Sequence, residues 1–189
     1  MVANRIHSNL NAQRGTTLLE VLITIVILAI GLLGLAGLQA RLQVSEMEAY
    51  QRAQALILLN DMASRIAANR ANAASYVTGA DNPLGVGNDC PGTSSTRQEE
   101  DADEWCNALQ GAGETSDAGN VGAMVGGRGC VEERDDDEYL VTVAWQGLTP
   151  ISAPTGACGQ GLYDGGTNCV DDLCRRTVST LVRIGNLGS

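Results

Sequence analysis

The stretch that decides the fold is QRGTTLLEVLITIVILAIGLLGLAGLQ, residues 13–39. From Val21 to Leu38 all but one residue is apolar or glycine. As a helix this run spans roughly 27 Å at about 1.5 Å per residue, close to a hydrocarbon core of about 30 Å. The preceding segment contains Arg5 and Arg14 and no acid, so the positive-inside rule predicts a cytoplasmic N-terminus.

Glu20 is the residue that a plain membrane span leaves unexplained. A carboxylate in a bilayer costs on the order of 2.5–3.5 kcal/mol at the centre, less near the interface, and usually has a partner. No Arg or His lies between Thr16 and Leu38. A cut after Gly15 would create an α-amine on Thr16, one helical turn from Glu20. That protonated amine, in the same chain or on a neighbouring subunit, would be the missing partner.

Two plainer interpretations stay open for this segment. A secretory signal peptide has a shorter apolar run, of about 7–15 residues, and ends in a small-residue cleavage site. Gly34-Leu35-Ala36 is a weak match to such a site. A single-pass anchor fits the length better. Neither interpretation accounts for Glu20.

The segment RGTTLLEVLITIVILAIGLLGLAGLQ, residues 14–39, resembles the class III signal of type IV pilins and pseudopilins. Gly15 matches the residue before the cut, and Glu20 matches the Glu at the fifth mature position. The run GLLGLAGLQ resembles the minor pilins of the PilV (type IV pilus modification protein) family. The resemblance implies that a prepilin peptidase cleaves between Gly15 and Thr16 and methylates Thr16, which stands where most of the family has Phe or Met. It implies further that Glu20 neutralises the amine of an adjacent subunit.

The resemblance also implies a function. The chain would be a minor pilin, made as a single-pass inner-membrane precursor with its C-terminal part in the periplasm. It would prime type IV pilus assembly with other minor pilins and the major pilin, near the tip, and support twitching motility and adhesion. The first alternative is a type II secretion pseudopilin. The alternative from another class is a single-pass anchored periplasmic protein that binds Ca²⁺ or another ligand.

The residues after the apolar run predict one long helix packed on a sheet. No Gly or Pro interrupts residues 39–78, and apolar residues recur there at three- and four-residue spacings, so we expect a helix from about Thr17 to Tyr76. Residues 138–147 and 174–185 alternate like strands. An antiparallel sheet would bury one face against the helix, with Trp145 as a core anchor. The expected class is α+β, which is also the pilin-like fold that the resemblance implies.

The expected organisation has four parts. Residues 1–15 form a cleaved leader, residues 16–38 the transmembrane or filament-core half of the helix, and residues 39–76 its amphipathic half. Residues 77–189 form a disulfide-bonded head domain. All six cysteines lie in that last part, which indicates an oxidising compartment. Six cysteines allow fifteen pairings, and the sequence does not choose among them. They are Cys90, Cys106, Cys130, Cys158, Cys169 and Cys174.

The composition argues against several other functions. The net charge is −10 and the chain has no Lys, which disfavours nucleic acid as a partner and excludes a P-loop. The only histidine, His7, lies in the leader, so we expect no catalytic set, no zinc site and no cofactor. The acidic runs at residues 132–138 and 164–172 contain oxygen donors that suit Ca²⁺. They lack the EF-hand spacing. A solvated, charged strand entry is the favoured interpretation of the first run, and a turn is the favoured interpretation of the second.

Overall fold

A computed structural model describes most of the chain beyond the leader. The described residues are 16–92, 95–113, 115–116, 119–120, 124–135 and 137–185. The predicted leader, including Gly15, lies outside the described residues. The chain divides into two compact units, residues 1–43 and residues 44–189.

Helix α1, Leu18–Ala68, runs through both units. It is long and apolar enough to cross a membrane, and no residue is buried in its most apolar 18-residue window. In the second unit, α1 buries one face of the helix against the rest of that unit. The buried residues recur every three or four positions, as one face of an α-helix requires. They are Gln51, Ala55, Leu59, Met62 and Ile66.

The α-helix ends at Ala68 rather than near Tyr76, and a 3₁₀ helix, Arg70–Tyr76, follows it. Asn69 and Asn72 explain the early end. Both have non-helical backbones, and the Asn72 side chain donates to that of Asn69 at 2.9 Å. Asn69 in turn donates to the Tyr76 hydroxyl at 3.0 Å. Asn side chains compete with the helical backbone for hydrogen bonds, and the interrupted turn follows from that competition.

The C-terminal part forms a four-stranded antiparallel sheet in the order β1-β4-β5-β6, together with helix α2 and a separate two-stranded pair. The long helix packs on this sheet, and the α+β prediction is confirmed. The elements are β1 Leu84–Gly85, α2 Arg97–Leu109, β2 Thr115–Ser116, β3 Gly119–Asn120, β4 Arg128–Asp135, β5 Glu138–Gln146 and β6 Arg175–Arg183.

Strands β5 and β6 lie where the alternating patterns predict them. The structure adds β4, which begins directly after Gly126 and Gly127 and continues through Glu132 and Glu133. The acidic run is thus the β4–β5 hairpin, with a bulge between Glu133 and Asp135. Helix α2 begins at Arg97, where Thr96 and Glu99 form a complete capping box.

Strand β5 is buried on both faces, because a different layer covers each one. Tyr139, Val141, Val143 and Trp145 belong to the core that also contains the buried face of α1. Trp145 is 3% exposed, so it is the core residue that the sequence predicts. The opposite face belongs to a smaller core formed by Ala144 with one residue of β4 and two residues of the loop after β5. Its other members are Cys130, Cys158 and Tyr163.

All six cysteines are paired, and the three bridges join successive cysteines. Cys90–Cys106 ties the loop before α2 to that helix. Cys130–Cys158 joins β4 to the loop after β5 and so holds the second layer on the sheet. Cys169–Cys174 closes a short loop directly before β6. Each bridge therefore constrains a segment with little regular structure, and two of the three do so by tying it to a helix or a strand.

Candidate processing and assembly site

The N-terminus of α1 places Glu20 in the first helical turn. Thr17 precedes the helix, and its hydroxyl oxygen accepts the backbone N–H of Glu20 at 3.3 Å. The Thr17 carbonyl accepts the same N–H at 3.0 Å. Thr17 therefore caps the helix, and the spacing T-x-x-E at residues 17–20 is a helix-start signal beyond those that predicted the helix.

The geometry leaves Glu20 accessible to a cation. Its side chain is exposed, and a carboxylate in the first turn lies at the positive end of the helix dipole. Thr16 lies four residues earlier and is also exposed. One helical turn is about 5.4 Å, so a charged group on Thr16 can reach this carboxylate, or that of an adjacent helix.

The surface around Glu20 is apolar. Glu20 is the only charged residue among residues 18–40, and the large apolar side chains of this part of α1 are exposed. So large an apolar surface needs lipid or another protein to cover it. A carboxylate inside such a covering requires a cation, because unpaired charges are costly there. This segment is suited to contacts with lipid or with other helices.

The same segment matches a known sequence family. Residues 10–36 match the prokaryotic N-terminal methylation motif. No curated protein and no solved structure gives a significant match to the chain. The matched segment includes Gly15, Thr16 and Glu20 and stops before the second unit.

This motif is the prepilin-type signal, and it supports a protein of the type IV pilin or pseudopilin class. It implies processing by a prepilin peptidase and assembly with other pilins. With the single apolar helix near the N-terminus, it fits a membrane-anchored pilin. The motif also suggests a structural protein rather than an enzyme.

An ionic cluster joins α1 to α2 in the second unit. Arg65 donates from Nη1 to Asp101 at 2.8 Å and to Glu104 at 2.6 Å, and its Nε binds Asp61 at 2.9 Å. Burial disfavours the charged form of Arg65, but the hydrogen bonds to Glu104, Asp61 and Asp101 outweigh it and raise its pKa. Arg65 therefore stays cationic. Asp101, only 1% exposed, also accepts the Tyr76 hydroxyl at 2.6 Å.

Alkaline pH should destabilise the second unit. Burial, and then the hydrogen bond to Asp101, raises the pKa of Tyr76. Burial also raises the pKa of Tyr163, whose hydroxyl donates to the Gly126 carbonyl at 2.8 Å. The stabilisation is complete below the ordinary tyrosine pKa of about 10 and is lost as pH rises through the higher folded-state values.

Urea unfolding of the full chain in detergent, at about pH 8 and about pH 11, tests this prediction. The free energy of unfolding should fall at the higher pH. Tyr163→Phe removes one of the titrating hydroxyls, so its loss between the two pH values should be smaller than that of the wild type. An equal loss in both proteins would contradict the assignment to Tyr163.

The acidic loops are hydrogen-bonded within the chain. The Asp164 side chain accepts the backbone N–H of Asp172, and the Asp172 side chain accepts that of Gly161, at 2.8 and 2.9 Å. Asp172 also forms an ion pair with Arg175. Within the part of the chain that the structure describes, no group of three or more His, Cys, Asp or Glu could hold a metal ion. These carboxylates shape the loop that leads to β6.

Proposed function

We propose that this chain is a minor pilin of the PilV type, which primes type IV pilus assembly and enters the pilus near its tip. The observation that carries the proposal is the methylation motif with Glu20 in the first turn of a helix that bears no other charge through residue 40. In this role the chain supports twitching motility and adhesion. Its partners are other minor pilins and the major pilin.

The proposed pathway begins in the inner membrane. The precursor spans it once, with a cytoplasmic leader and a periplasmic head domain. Prepilin peptidase cuts between Gly15 and Thr16 and methylates the new amine of Thr16. The helix then moves from lipid into the filament, where other pilin helices cover its apolar surface. The three disulfides support this placement, because bridges of this kind persist in an oxidising compartment.

Glu20 sets the register of assembly in this proposal. The amine on Thr16 exists only after cleavage, so an uncut precursor offers no partner for the carboxylate of a neighbouring subunit. Once the apolar surfaces pack together, only an arrangement that brings the amine and Glu20 together avoids an unpaired charge in a low-dielectric environment. In this proposal, assembly therefore requires prior cleavage.

Mass spectrometry of the membrane-extracted chain should detect an N-terminal peptide that begins at Thr16 and carries one added methyl group. The proposal requires this N-terminus, because only a cut after Gly15 creates the α-amine of Thr16 that pairs with Glu20. Gly15→Leu serves as the control, because blocking the cut should leave a chain that retains the leader. A wild-type chain that begins at Met1, or after Ala36, would refute the proposal.

The motif supports a pseudopilin as well, so a second experiment distinguishes a type IV pilus from a type II secretion system. Deleting the gene should abolish or sharply reduce surface pili while protein secretion continues. The reverse result, with secretion lost and pili intact, would assign the chain to a type II secretion system. Restoring the intact gene controls for effects on neighbouring genes.

A further inference from the structure

Strand β6 is an edge strand of the sheet: one side of it pairs with β5, and the other side has no neighbouring strand among the described residues. The Gly147 N–H donates to the Cys174 carbonyl at 2.7 Å, and the Ile184 N–H donates to the Asp137 carbonyl at 2.8 Å. In an antiparallel ladder, inward- and outward-facing residues alternate. The two bonds show that the backbone groups of Cys174 and Ile184 point towards β5, so those of every second residue between them do so as well. The backbone groups that face outward belong to Thr177, Ser179, Leu181 and Arg183.

These outward groups have no hydrogen-bond partner among the described residues. The opposite edge of the sheet is covered. There the Val131 carbonyl accepts the N–H groups of Thr78 and Gly79 at 3.0 and 3.1 Å, and the Thr78 hydroxyl accepts the Val131 N–H. Proteins usually cover or shorten an exposed edge, because it is a template for another strand. Here the chain covers one edge and leaves the outward backbone groups of four β6 residues open.

A groove runs beside this open edge, between α1 and β6. Its volume is about 440 Å³. Ile151, Val178 and the buried Trp145 contribute apolar surface to it, and α1 contributes Glu48 and Arg52. A strand added to β6 would place alternate side chains over this groove. The groove and the edge therefore form one continuous surface.

The charges in the groove favour an acidic occupant. Glu48 is already engaged, because it pairs with Arg176 at 3.3 Å and accepts the Leu148 N–H at 2.9 Å. Arg52 is exposed and forms no ion pair among the described residues. Arg52 therefore provides a positive charge that can pair with a binding partner, although the chain as a whole has a net charge of −10. A carboxylate on the added strand would complement it.

We propose that β6 accepts an extended segment of a different protein subunit as a fifth strand of the sheet, and that this segment carries a carboxylate for Arg52 and an apolar residue for Ile151 and Val178. The main-chain hydrogen bonds give affinity, and the groove gives specificity. The inference relies on the proposed function only for the origin of the partner, another subunit of the assembly. Binding of a peptide to purified protein tests the edge without any pilus.

The probe is a fluorescent peptide of about ten residues that alternates Val and Thr with two Glu residues. Its binding to the full chain in detergent is measured by anisotropy. Leu181→Pro removes one outward N–H and leaves the bonds to β5 intact, as proline at a sheet edge can. We expect Leu181→Pro to weaken binding at least about tenfold. Leu181→Ala keeps the N–H and should bind as the wild type does.

Two further probes remove any dependence on the folding of the proline variant. A peptide with N-methylated backbone on its pairing edge should bind at least about tenfold more weakly to the wild type. Arg52→Glu should reverse the preference between the Glu peptide and its Lys counterpart. Absence of binding, or equal binding of the methylated and unmethylated peptides, would overturn the strand-accepting edge. Equal binding of the acidic and basic peptides to the wild type would overturn the role of Arg52.

The oligomeric state decides between partners. We expect the wild-type chain to show no association that depends on the β6 edge. A wild-type dimer that Leu181→Pro abolishes and Leu181→Ala preserves would assign the edge to a second copy of this chain and overturn the proposal of a different subunit.

Discussion

Replacing Glu20 by Ala should leave the precursor cleaved and nearly abolish incorporation of the chain into pili. The physical reason is that the protonated amine of Thr16 would then be buried in an apolar core without its carboxylate. Removing one partner of a buried ion pair costs about 3–5 kcal/mol. This corresponds to a loss of incorporation of roughly a hundredfold or more. The measurement is the amount of this chain in sheared pili, divided by the cleaved chain in the membrane.

Two variants control this experiment. Glu46→Ala removes an exposed acid further along α1, outside the apolar run, and should assemble normally. Glu20→Gln keeps the shape of the side chain without its charge and should fail as Glu20→Ala does. Incorporation of Glu20→Ala at the wild-type level, with cleavage intact, would remove the role of Glu20 in assembly.

Gly129→Ala should strongly destabilise the second unit. A Cβ at this position would lie 2.1 Å from Cη2 of Trp105, well inside contact distance. Trp105 cannot move aside easily, because it is fully buried and its Nε1 donates to the Leu58 carbonyl of α1 at 2.9 Å. Overpacking of this kind costs about 1–3 kcal/mol and occasionally more. We expect the free energy of unfolding to fall by about 3 kcal/mol, the upper end of this range. Urea unfolding of the full chain in detergent measures it.

Gly156→Ala is the matched control, because nothing lies within 4 Å of its added Cβ. Its effect should stay within about 0.5 kcal/mol. Trp105→Ala should cost about 3–5 kcal/mol by itself. In the double variant the two losses should not add, since the small side chain at residue 105 makes room for the Cβ at residue 129. Additive losses would mean that the two positions do not contact each other.

The sequence predicted well the features that depend on local pattern. The apolar run after Glu20 is continuous and long enough to span a membrane, so a helix there follows from it directly. Strands β5 and β6 alternate over nine residues each, and their β-branched side chains agree with the sheet. The spacing between Gly15 and Glu20 is likewise local, which is why it indicated the signal before any fold was known.

The features that escaped prediction depend on contacts distant in the chain. Strand β4 has Gly129 near its start because Trp105 occupies the space that a side chain would need, and no local pattern indicates this neighbour from α2. The short strand β1 exists only because β4 pairs with it. Gln51 is fully buried on α1 although its type suggests the wet face, and its side chain accepts the Val125 N–H. The capping residues Thr96 and Glu99, by contrast, are a local signal from which the start of α2 could have been predicted.

The burial of the Arg175 side chain also depends on distant contacts and could not be predicted from the local sequence. Beside Arg176 this residue resembles an exposed cationic pair, yet it is 2% exposed. Its guanidinium donates to the carbonyls of Pro154, Gly156 and Cys158. These bonds hold the loop after β5 over the sheet. The need for a donor arises from how that loop folds, so the sequence around Arg175 does not reveal it.

The order of the disulfides bears on how the chain matures. Each bridge joins a cysteine to the next one along the sequence, and no bridge interleaves with another. If the part of the chain after the apolar helix emerges in sequence order, each cysteine meets its correct partner before the following pair emerges. Vectorial oxidation alone then yields the native connectivity, without a shuffling step by an isomerase. The same arrangement makes the three crosslinked loops independent, so an error in one does not propagate to the others.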